Sequence, residues 1–338
     1  MVVGKTRNVF VVLAVVVLVG AILIVSFVYL NSRPFATTDN VSFGSLGPSS
    51  EFLALVYIAQ ARNYFSNNGI NLTIVDFSTG GQALDAASAG EIDIASSTAF
   101  SFATTAALQQ KELSTIASID KMDTYFILGR KDRGMQNPID LNGKSVAVVP
   151  NTAGEFYLGR FLELEGLSIH NVTIINVPLT EAPNALANGT VDSIVATRPI
   201  INQAQQLLPS NTAMWSAQSS QMSYVLLSCR NDWISQHQDL VVKFLRSLSQ
   251  AEDYLVSNRA VAEELVAQQR NQTISLETWS DNHNSLSLDQ SLIVAMQDQA
   301  QWMITNKLTN ATTVPDFLTH IYSSGLKSVQ PESVNIIG

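Results

Sequence analysis

Three patterns of hydrophobic and polar positions follow one another along this chain. The first is an unbroken apolar run. From Val9 to Leu30 there is no charge, and nearly every residue is Val, Leu, Ile, Ala or Phe. A helix that crosses a bilayer needs about 20 such residues, so the run predicts one N-terminal transmembrane helix. Lys5 and Arg7 precede it, and positive charge before a span holds that end in the cytoplasm. A cleavable signal peptide is the rival reading. Its apolar core runs to only about 7–15 residues, and "NSRPFATTDN" after the run offers no small-x-small cleavage site. The expected layout is a cytoplasmic tip over 1–8, an uncleaved anchor over 9–30 and a linker over 31–40.

Strand and helix rhythms then alternate. "VSFGSL" is apolar at every second position, Val41 and Phe43, which predicts a first strand. Phe52, Leu55, Val56 and Ala59 fall at helical spacing, and "NNGI" ends that helix at Gly69. "LTIVDF" predicts a second strand, "STGGQALDAASAG" a helix stopping at Gly90, "IDIAS" a third strand and "AFSFATTAALQQ" a third helix. "LSTIASI" and "YFILGR" read as further strands. The rhythm restarts after residue 130. It gives a strand over 145–149, a helix with Leu158, Phe161 and Leu162 on one face, the strand "NVTIINVP", a helix closed by Gly189, the strand "SIVAT" and a return strand "YVLLSC". The last third is helical, with Leu240, Phe244, Leu245, Leu248, Ala251 and Leu255 in one stripe and two more helices around 257–269 and 288–305. Such alternation is the mark of an α/β fold with a mostly parallel sheet.

Two stretches echo each other, "SAGEIDIASST" from Ser88 and "ANGTVDSIVAT" from Ala187. Each has a Gly, an Asp three places later and then a short apolar strand. Ligands of open α/β sheets sit beyond the carboxyl ends of the strands. "ASST" and "ATRP" are therefore expected to face each other across a crevice. Asp93 and Asp192 suggest a catalytic pair at first sight. Asp also holds backbone donors at tight turns, and two residues in separate halves of the chain fit that role better.

Length and charge narrow the picture. The 338 residues are too many for one simple core and suit two lobes. There are 19 basic and 28 acidic residues, and Lys5, Arg7 and Arg33 precede the globular part. The acidic balance excludes a nucleic-acid footprint and a surface that hugs anionic lipid. Cys229 is the single cysteine, so no internal disulfide forms and no cysteine after the apolar run can carry a lipid. It lies in an apolar strand and is expected to be buried and inert. Asn-x-Ser/Thr triplets begin at Asn40, Asn71, Asn171, Asn188, Asn271 and Asn310, which fits a glycoprotein in an exported compartment. Asn188 sits beside a turn that disfavours modification. His170, His237, His283 and His320 are dispersed, and no HExxH, GxSxG, Walker or dinucleotide motif occurs. No catalytic residue, metal site or cofactor is predicted.

The stretches "GGQALDAASAGEIDIASSTAF", "DLNGKSVAVVPNTAGEFYLGRFLELEGL", "EAPNALANGTVDSIVATRP" and "LVVKFLRSLSQAEDYLVSNRAVAEEL" occur in a telling order. In that order and spacing the chain, from about Val41 to Thr273, resembles the substrate-binding proteins of ABC transporters, in the nitrate/sulfonate/taurine and thiamine-precursor-like group. The resemblance implies a two-lobed periplasmic-binding-protein fold of type 2, here preceded by one transmembrane helix, with two crossing strands as hinge. Tyr125–Arg130 and Tyr224–Cys229 match those strands, giving a first lobe of 41–128 plus 226–338 and a second of 129–225. It further implies a non-enzymatic, monomeric binding domain on the extracellular or periplasmic face of the cell membrane. Such a domain captures a small anionic solute by hinge closure and passes it to an ABC permease and its ATPase. A ligand sensor and a thiamine-pyrimidine-related protein on the same fold are the alternatives. A sensor needs an output domain that about eight cytoplasmic residues cannot hold, or a partner to signal through, and the thiamine-branch enzyme needs a cysteine-rich motif that one cysteine cannot supply.

Candidate ligand contacts sit where a strand hands over to a helix. They are Ser45 and Gly47 in "SLGPSSEF", Gly80 and Gly81 in "STGG", Ser97 and Thr98 in "SSTAF", and Asn151, Thr152, Ala153 and Glu155 in "NTAGEF". Free N–H groups and the helix dipole suit anions at such points, although plain N-capping explains many of them. By the resemblance, Ser97, Thr98, Thr152 and Ala153 are the leading contacts, Ala153 through its backbone. Arg198 in "ATRP" has the chemistry to grip a sulfonate, carboxylate or phosphate, or to form a surface ion pair. Glu155 can answer a ligand amine or simply the helix dipole. Tyr125, Trp215 and Tyr224 either line the cleft or join the core.

Overall fold

The strand rhythm resolves into two five-stranded sheets. The computed structural model describes residues 38–46, 51–218, 221–270 and 283–337. Strands β1 (Asp39–Ser45), β2 (Ile70–Asp76), β3 (Ile94–Thr98) and β4 (Leu113–Met122) open the first sheet. Strands β5 (Tyr125–Arg130), β6 (Ser145–Ala147), β7 (Thr173–Ile175), β8 (Ser193–Thr197) and β9 (Thr212–Ser216) make the second, and β10 (Ser223–Arg230) returns to the first. The orders are β2-β1-β3-β10-β4 and β7-β6-β8-β5-β9.

Both sheets follow one plan. In each, a strand pairs in parallel with a central one, β1 with β3 and β6 with β8. Beside that strand lies the one that arrives from the other lobe, β10 or β5, antiparallel to both of its neighbours. The sheets are therefore mixed rather than mostly parallel, because a strand entering from the far lobe runs against the strands built by βαβ units. Tyr125–Arg130 and Tyr224–Cys229 each lie within one sheet, held by ladders on both sides. The chain passes between lobes just before them, after Met122 and after Ser216.

One side chain spans both passages. Gln218 is 1% exposed. Its Oε1 accepts from Thr124 N (2.6 Å) and Tyr125 N (2.8 Å), and its Nε2 donates to Met122 O (2.9 Å) and Gln221 O (2.7 Å). Buried backbone groups need partners, and a single carboxamide supplies four of them at the junction.

The first lobe carries helices α1 (Ala54–Ala61), α2 (Tyr64–Asn67), α3 (Gly80–Ala89) and α4 (Ala99–Phe102), and the second α5 (Ala153–Leu164), α6 (Ala182–Ala187) and α7 (Arg198–Leu207). After β10 follow α8 (Asn231–Gln236), α9 (Gln238–Ser257), α10 (Arg259–Arg270), α11 (Gln290–Thr305) and α12 (Ser324–Val329). The first predicted helix is broken in two at Asn63, whose φ of 59° is left-handed, a conformation Asn tolerates. The third runs from α4 into a π-helical turn, Ala103–Ala107. Leu240, Phe244, Leu245, Leu248, Ala251 and Leu255 of α9 are buried as their stripe requires. A large core fills the first lobe, and two smaller ones flank the second sheet. Cys229 is buried in β10, and desolvation pushes its thiol well up.

The tip, the apolar run 9–30 and most of the linker lie outside the described residues. Among the described residues no helix is long and apolar enough to cross a membrane. Asn40, Asn71, Asn171, Asn188 and Asn310 are exposed, while Asn271 lies outside the described residues.

Candidate functional site

The echoed aspartates pin the central strands. Asp93 Oδ2 accepts from the N–H (2.8 Å) and hydroxyl (2.7 Å) of Ser42, and Asp93 N–H donates back to Ser42 Oγ (2.9 Å). In the second lobe Asp192 Oδ2 accepts from the N–H (2.9 Å) and hydroxyl (2.8 Å) of Ser145, whose Oγ accepts from Asp192 N–H (3.0 Å). The same reciprocal staple thus ties β3 to β1 and β8 to β6. Burial pushes the Asp192 carboxyl up, but the Ser145 N–H and hydroxyl and nearby Lys144 and Arg133 leave it lower than usual. Neither aspartate lines a described cavity. Their work is to fix where the carboxyl ends of β3 and β8 lie, and those ends meet one cavity.

That cavity has a volume of about 90 Å³. Thr79, Gly80, Thr98 and Ser101 line it from the first lobe, and Thr152, Ala153, Gly154 and Thr197 from the second. Leu46, Phe52, Val148, Val149, Leu179 and Val195 supply an apolar side, and Tyr125 lies at the junction, stacked on Tyr157 at 5.3 Å. None of the described lining residues carries a charge. A wider recess of about 540 Å³ shares Ser78, Thr79, Val149 and Leu179 with it.

Four threonines, Thr79, Thr98, Thr152 and Thr197, sit at the helix starts around the cavity. The first two cap their own helices: Thr79 Oγ1 accepts from Gln82 N and Thr98 Oγ1 from Ser101 N, both at 3.2 Å. The second two do not. Thr152 Oγ1 donates to Val149 O (2.7 Å), and Thr197 Oγ1 is buried with no hydrogen-bond partner. The first N–H groups of α5, at Ala153 and Gly154, have no intrahelical acceptor and receive no side-chain cap. A 12-residue helix therefore presents its positive end to the cavity. The arrangement can hold an oxyanion by N–H and hydroxyl groups alone.

Of the candidates from sequence, the cavity gathers Gly80, Thr98, Tyr125, Thr152 and Ala153. Gly80 is there by necessity, since a Cβ would stand 2.7 Å from Ser97 Cα. Ser97 is buried directly beneath, its hydroxyl without a partner. The others lie outside the lining. Ser45 is buried at the end of β1 and Gly81 abuts Thr105. Asn151 takes a left-handed turn (φ 60°), its N–H donates to Glu155 Oε2 (2.8 Å) and its C=O accepts from Ser101 Oγ across the lobes (3.3 Å). Glu155 is buried in the first turn of α5, where desolvation raises its carboxyl and the Asn151 N–H partly offsets the rise. The Arg198 guanidinium stacks on Phe126, 4.3 Å from the ring centroid. Tyr224 donates to Ser291 Oγ (2.9 Å) and faces a different recess, behind the junction. Trp215 packs near Phe161 in the second-lobe core. Gly47 lies outside the described residues.

Sequence reasoning passed over Ser101, Val148, Val149 and Leu179, which line the cavity, and assigned Phe52 to a helix face. Their common signal is position, just beyond a strand end or at a helix start. Gln218 and the staple serines Ser42 and Ser145 carried no signal at all.

The family model described as NMT1/THI5 like matches residues 52–262. A binding protein of Brucella abortus (strain 2308), whose name specifies no solute, is 21% identical over 164 residues, covering 46% of this chain and 50% of that protein. The chain thus spans about half the length of the curated relatives it matches. Among solved structures, the alkanesulfonate-binding protein SsuA of Xanthomonas axonopodis pv. citri, bound to MOPS, superposes with a TM-score of 0.73 at 18% identity over 84% of this chain and 98% of that one. The periplasmic nitrate-binding protein NrtA of Synechocystis PCC 6803 gives 0.65 at 12% identity over 88% of each chain. A desulfurization enzyme, DSZB, shares the fold at 0.61, so the fold by itself leaves the chemistry to the site. The chain belongs to the NMT1/THI5-like family and carries the two-lobed fold of the sulfonate-binding and nitrate-binding periplasmic proteins.

Proposed function

We propose that this chain is the solute-binding component of an ABC importer and that its cleft captures a small monoanion bearing a short apolar group. The observation that carries the reading is the second-lobe side of the cavity: an uncapped helix start at Ala153 and Gly154, with the buried, unpartnered Thr197 hydroxyl on the same cavity. An unsatisfied buried hydroxyl is costly, and a ligand oxygen would satisfy it. The opposite wall is apolar, which suits a short alkyl tail.

The lack of charge among the described lining residues sets the ligand class. A dianion enclosed without a counter-charge loses far more hydration than helix dipoles return. A monoanion such as an alkanesulfonate or nitrate is within their reach. A zwitterion such as taurine also needs a partner for its ammonium, and Glu155 is turned to the Asn151 N–H outside the lining. Polar groups in the cavity are hydroxyls and backbone, with no described general base among them, and Cys229 lies away from it in β10. These features favour a binder over an enzyme. In this reading the apolar run 9–30 tethers a monomeric binding domain to the outer face of the membrane, closure of the two lobes holds the solute, and a permease with its ATPase receives it.

Calorimetry on the full chain tests the proposal with ethanesulfonate, butanesulfonate, nitrate, taurine and sulfate. Ethanesulfonate or a near relative is expected to bind, with taurine and sulfate at least about tenfold weaker, or about 1.4 kcal/mol. Arg198→Ala should leave affinity within about twofold, because Arg198 is engaged on Phe126. Binding of sulfate or taurine in preference to the simple monoanions would overturn the assignment.

A further inference from the structure

We infer that Trp302, far along the sequence from every lining residue, is a positioning residue that sets how the second-lobe helix start faces the first lobe. Helix α11 is docked on the first lobe: Leu292, Ile293, Met296 and Ala300 belong to that lobe's core. Two residues beyond Ala300 the helix changes partners, and Trp302 and Met303 join the core of the second lobe. One helix is therefore embedded in both.

The contact is specific. The Trp302 ring meets Phe156 edge-on at 5.4 Å and Phe100 at 6.1 Å, and Phe100 stacks on Phe156 at 5.4 Å. Trp302 Nε1 donates to Glu163 Oε1 at 2.9 Å. Gly159 has no room for a side chain, since a Cβ there would stand 2.0 Å from Trp302 Cζ2. Phe156, Gly159 and Glu163 lie at steps of three and four along α5, on one face. Thr152, one turn before Phe156, continues that face to the cavity. Phe100 in turn lies two residues past Thr98, the first-lobe threonine of the cavity. The wedge thus touches both helix starts through the residues directly behind them. Removing it frees α5 to tilt relative to the first lobe without touching any ligand contact.

The test uses spin labels at Ala89→Cys in α3 and Asn184→Cys in α6, both exposed positions, with buried Cys229 left in place. Inter-lobe distances are read by pulsed electron resonance on the ligand-free full chain, and ethanesulfonate affinity by calorimetry. Trp302→Ala is expected to broaden and lengthen the distance distribution and to weaken binding about tenfold. Trp302→Phe should restore most of both, since a ring remains. Glu163→Ala, which removes the Nε1 acceptor together with a partly exposed ion pair to Arg160 and a 3.5 Å contact from Asn306, should shift both in the same direction by less, and it decides the matter if Trp302→Ala does not fold. A simple stability role would lower the melting temperature and leave the distances alone. Distances unchanged in the folded variants overturn the inference. The affinity arm rests on the proposed capture reading and the distance arm does not: if ethanesulfonate fails to bind the unaltered chain, that reading falls while the distances still judge Trp302.

Discussion

The two lobes are built alike where they are held together and differently where they face each other. Ser42 with Asp93 and Ser145 with Asp192 form the same staple, within 0.1 Å bond for bond. At the strand ends the likeness stops. On the first-lobe side of the cavity Thr79 and Thr98 cap their own helices and Ser101 donates to Asn151 O; Ser96 beneath donates to Gly44 O, and the unpartnered Ser97 hydroxyl lies outside the lining. Second-lobe Thr152 and Thr197 leave their helix starts uncapped. A duplicated scaffold sets the place of the cavity, and the departure from duplication in one lobe creates its demand for an anion.

The junction offers the largest test, because the comparison assumes two lobes held in a defined relation. Gln218→Ala strips four backbone groups of their partner at once. A loss above about 3 kcal/mol is expected in urea denaturation, given about 1–3 kcal/mol for each buried group left unsatisfied. A loss under about 1 kcal/mol would mean that water replaces the clasp and that the lobes are joined loosely.

The staples come next. Ser42→Ala and Ser145→Ala each remove a hydroxyl bound to a carboxylate, which costs about 1.5–3 kcal/mol. The two losses should agree within about 1 kcal/mol, since the staples match bond for bond and the charges near Asp192, Lys144 and half-exposed Arg133 at 3.5 Å, add little. A large gap between the two, again by urea denaturation, would break the equivalence of the lobes.

Glycines sharpen the difference at the cavity. Gly80→Ala forces a Cβ to within 2.7 Å of Ser97 Cα, so backbone must move, at a cost of about 1–3 kcal/mol. Gly154→Ala meets nothing nearer than Val148 Cγ2 at 3.2 Å, a side-chain methyl, and should stay within about 1 kcal/mol of the parent. Equal losses in thermal melts would show that the first-lobe helix start is not packed as tightly as described.

The smallest effect is one of pH. Burial raises the Glu155 carboxyl above its ordinary 4.5, so the folded chain holds that proton more firmly than the unfolded one. The contribution is full below the ordinary value and is lost as pH rises through the raised one. Glu155→Gln should therefore melt no lower than the parent at pH 8, with its relative advantage shrinking on acidification to pH 4. An advantage that grows toward low pH would contradict the assignment.

Much of this was legible in the sequence, and the limits have physical causes. Gly69, Gly90, Gly166 and Gly189 end helices or turns with positive φ, and glycine is the residue that advertises such points. The echo located the two strands that reach the cavity. Periodicity could not reveal Asn63 splitting the first helix, since apolar spacing carries on across the break. Arg198 illustrates the larger limit: its charge suggested an anion partner, but Phe126, 72 residues earlier in the sequence, takes the guanidinium. Trp302 and Gln218 act through contacts of long sequence separation, and no local pattern encodes those.

The central claim is that the second lobe, rather than the first, supplies the anion's hydrogen bonds, and one pair of titrations bears on it most directly. Ethanesulfonate is titrated into Thr197→Val and Thr98→Val, each valine matching threonine in shape without its hydroxyl. The account predicts at least about a tenfold loss for Thr197→Val and a clearly smaller loss for Thr98→Val, whose hydroxyl already serves Ser101 N–H. Full affinity in Thr197→Val, or the larger loss in Thr98→Val, would contradict it.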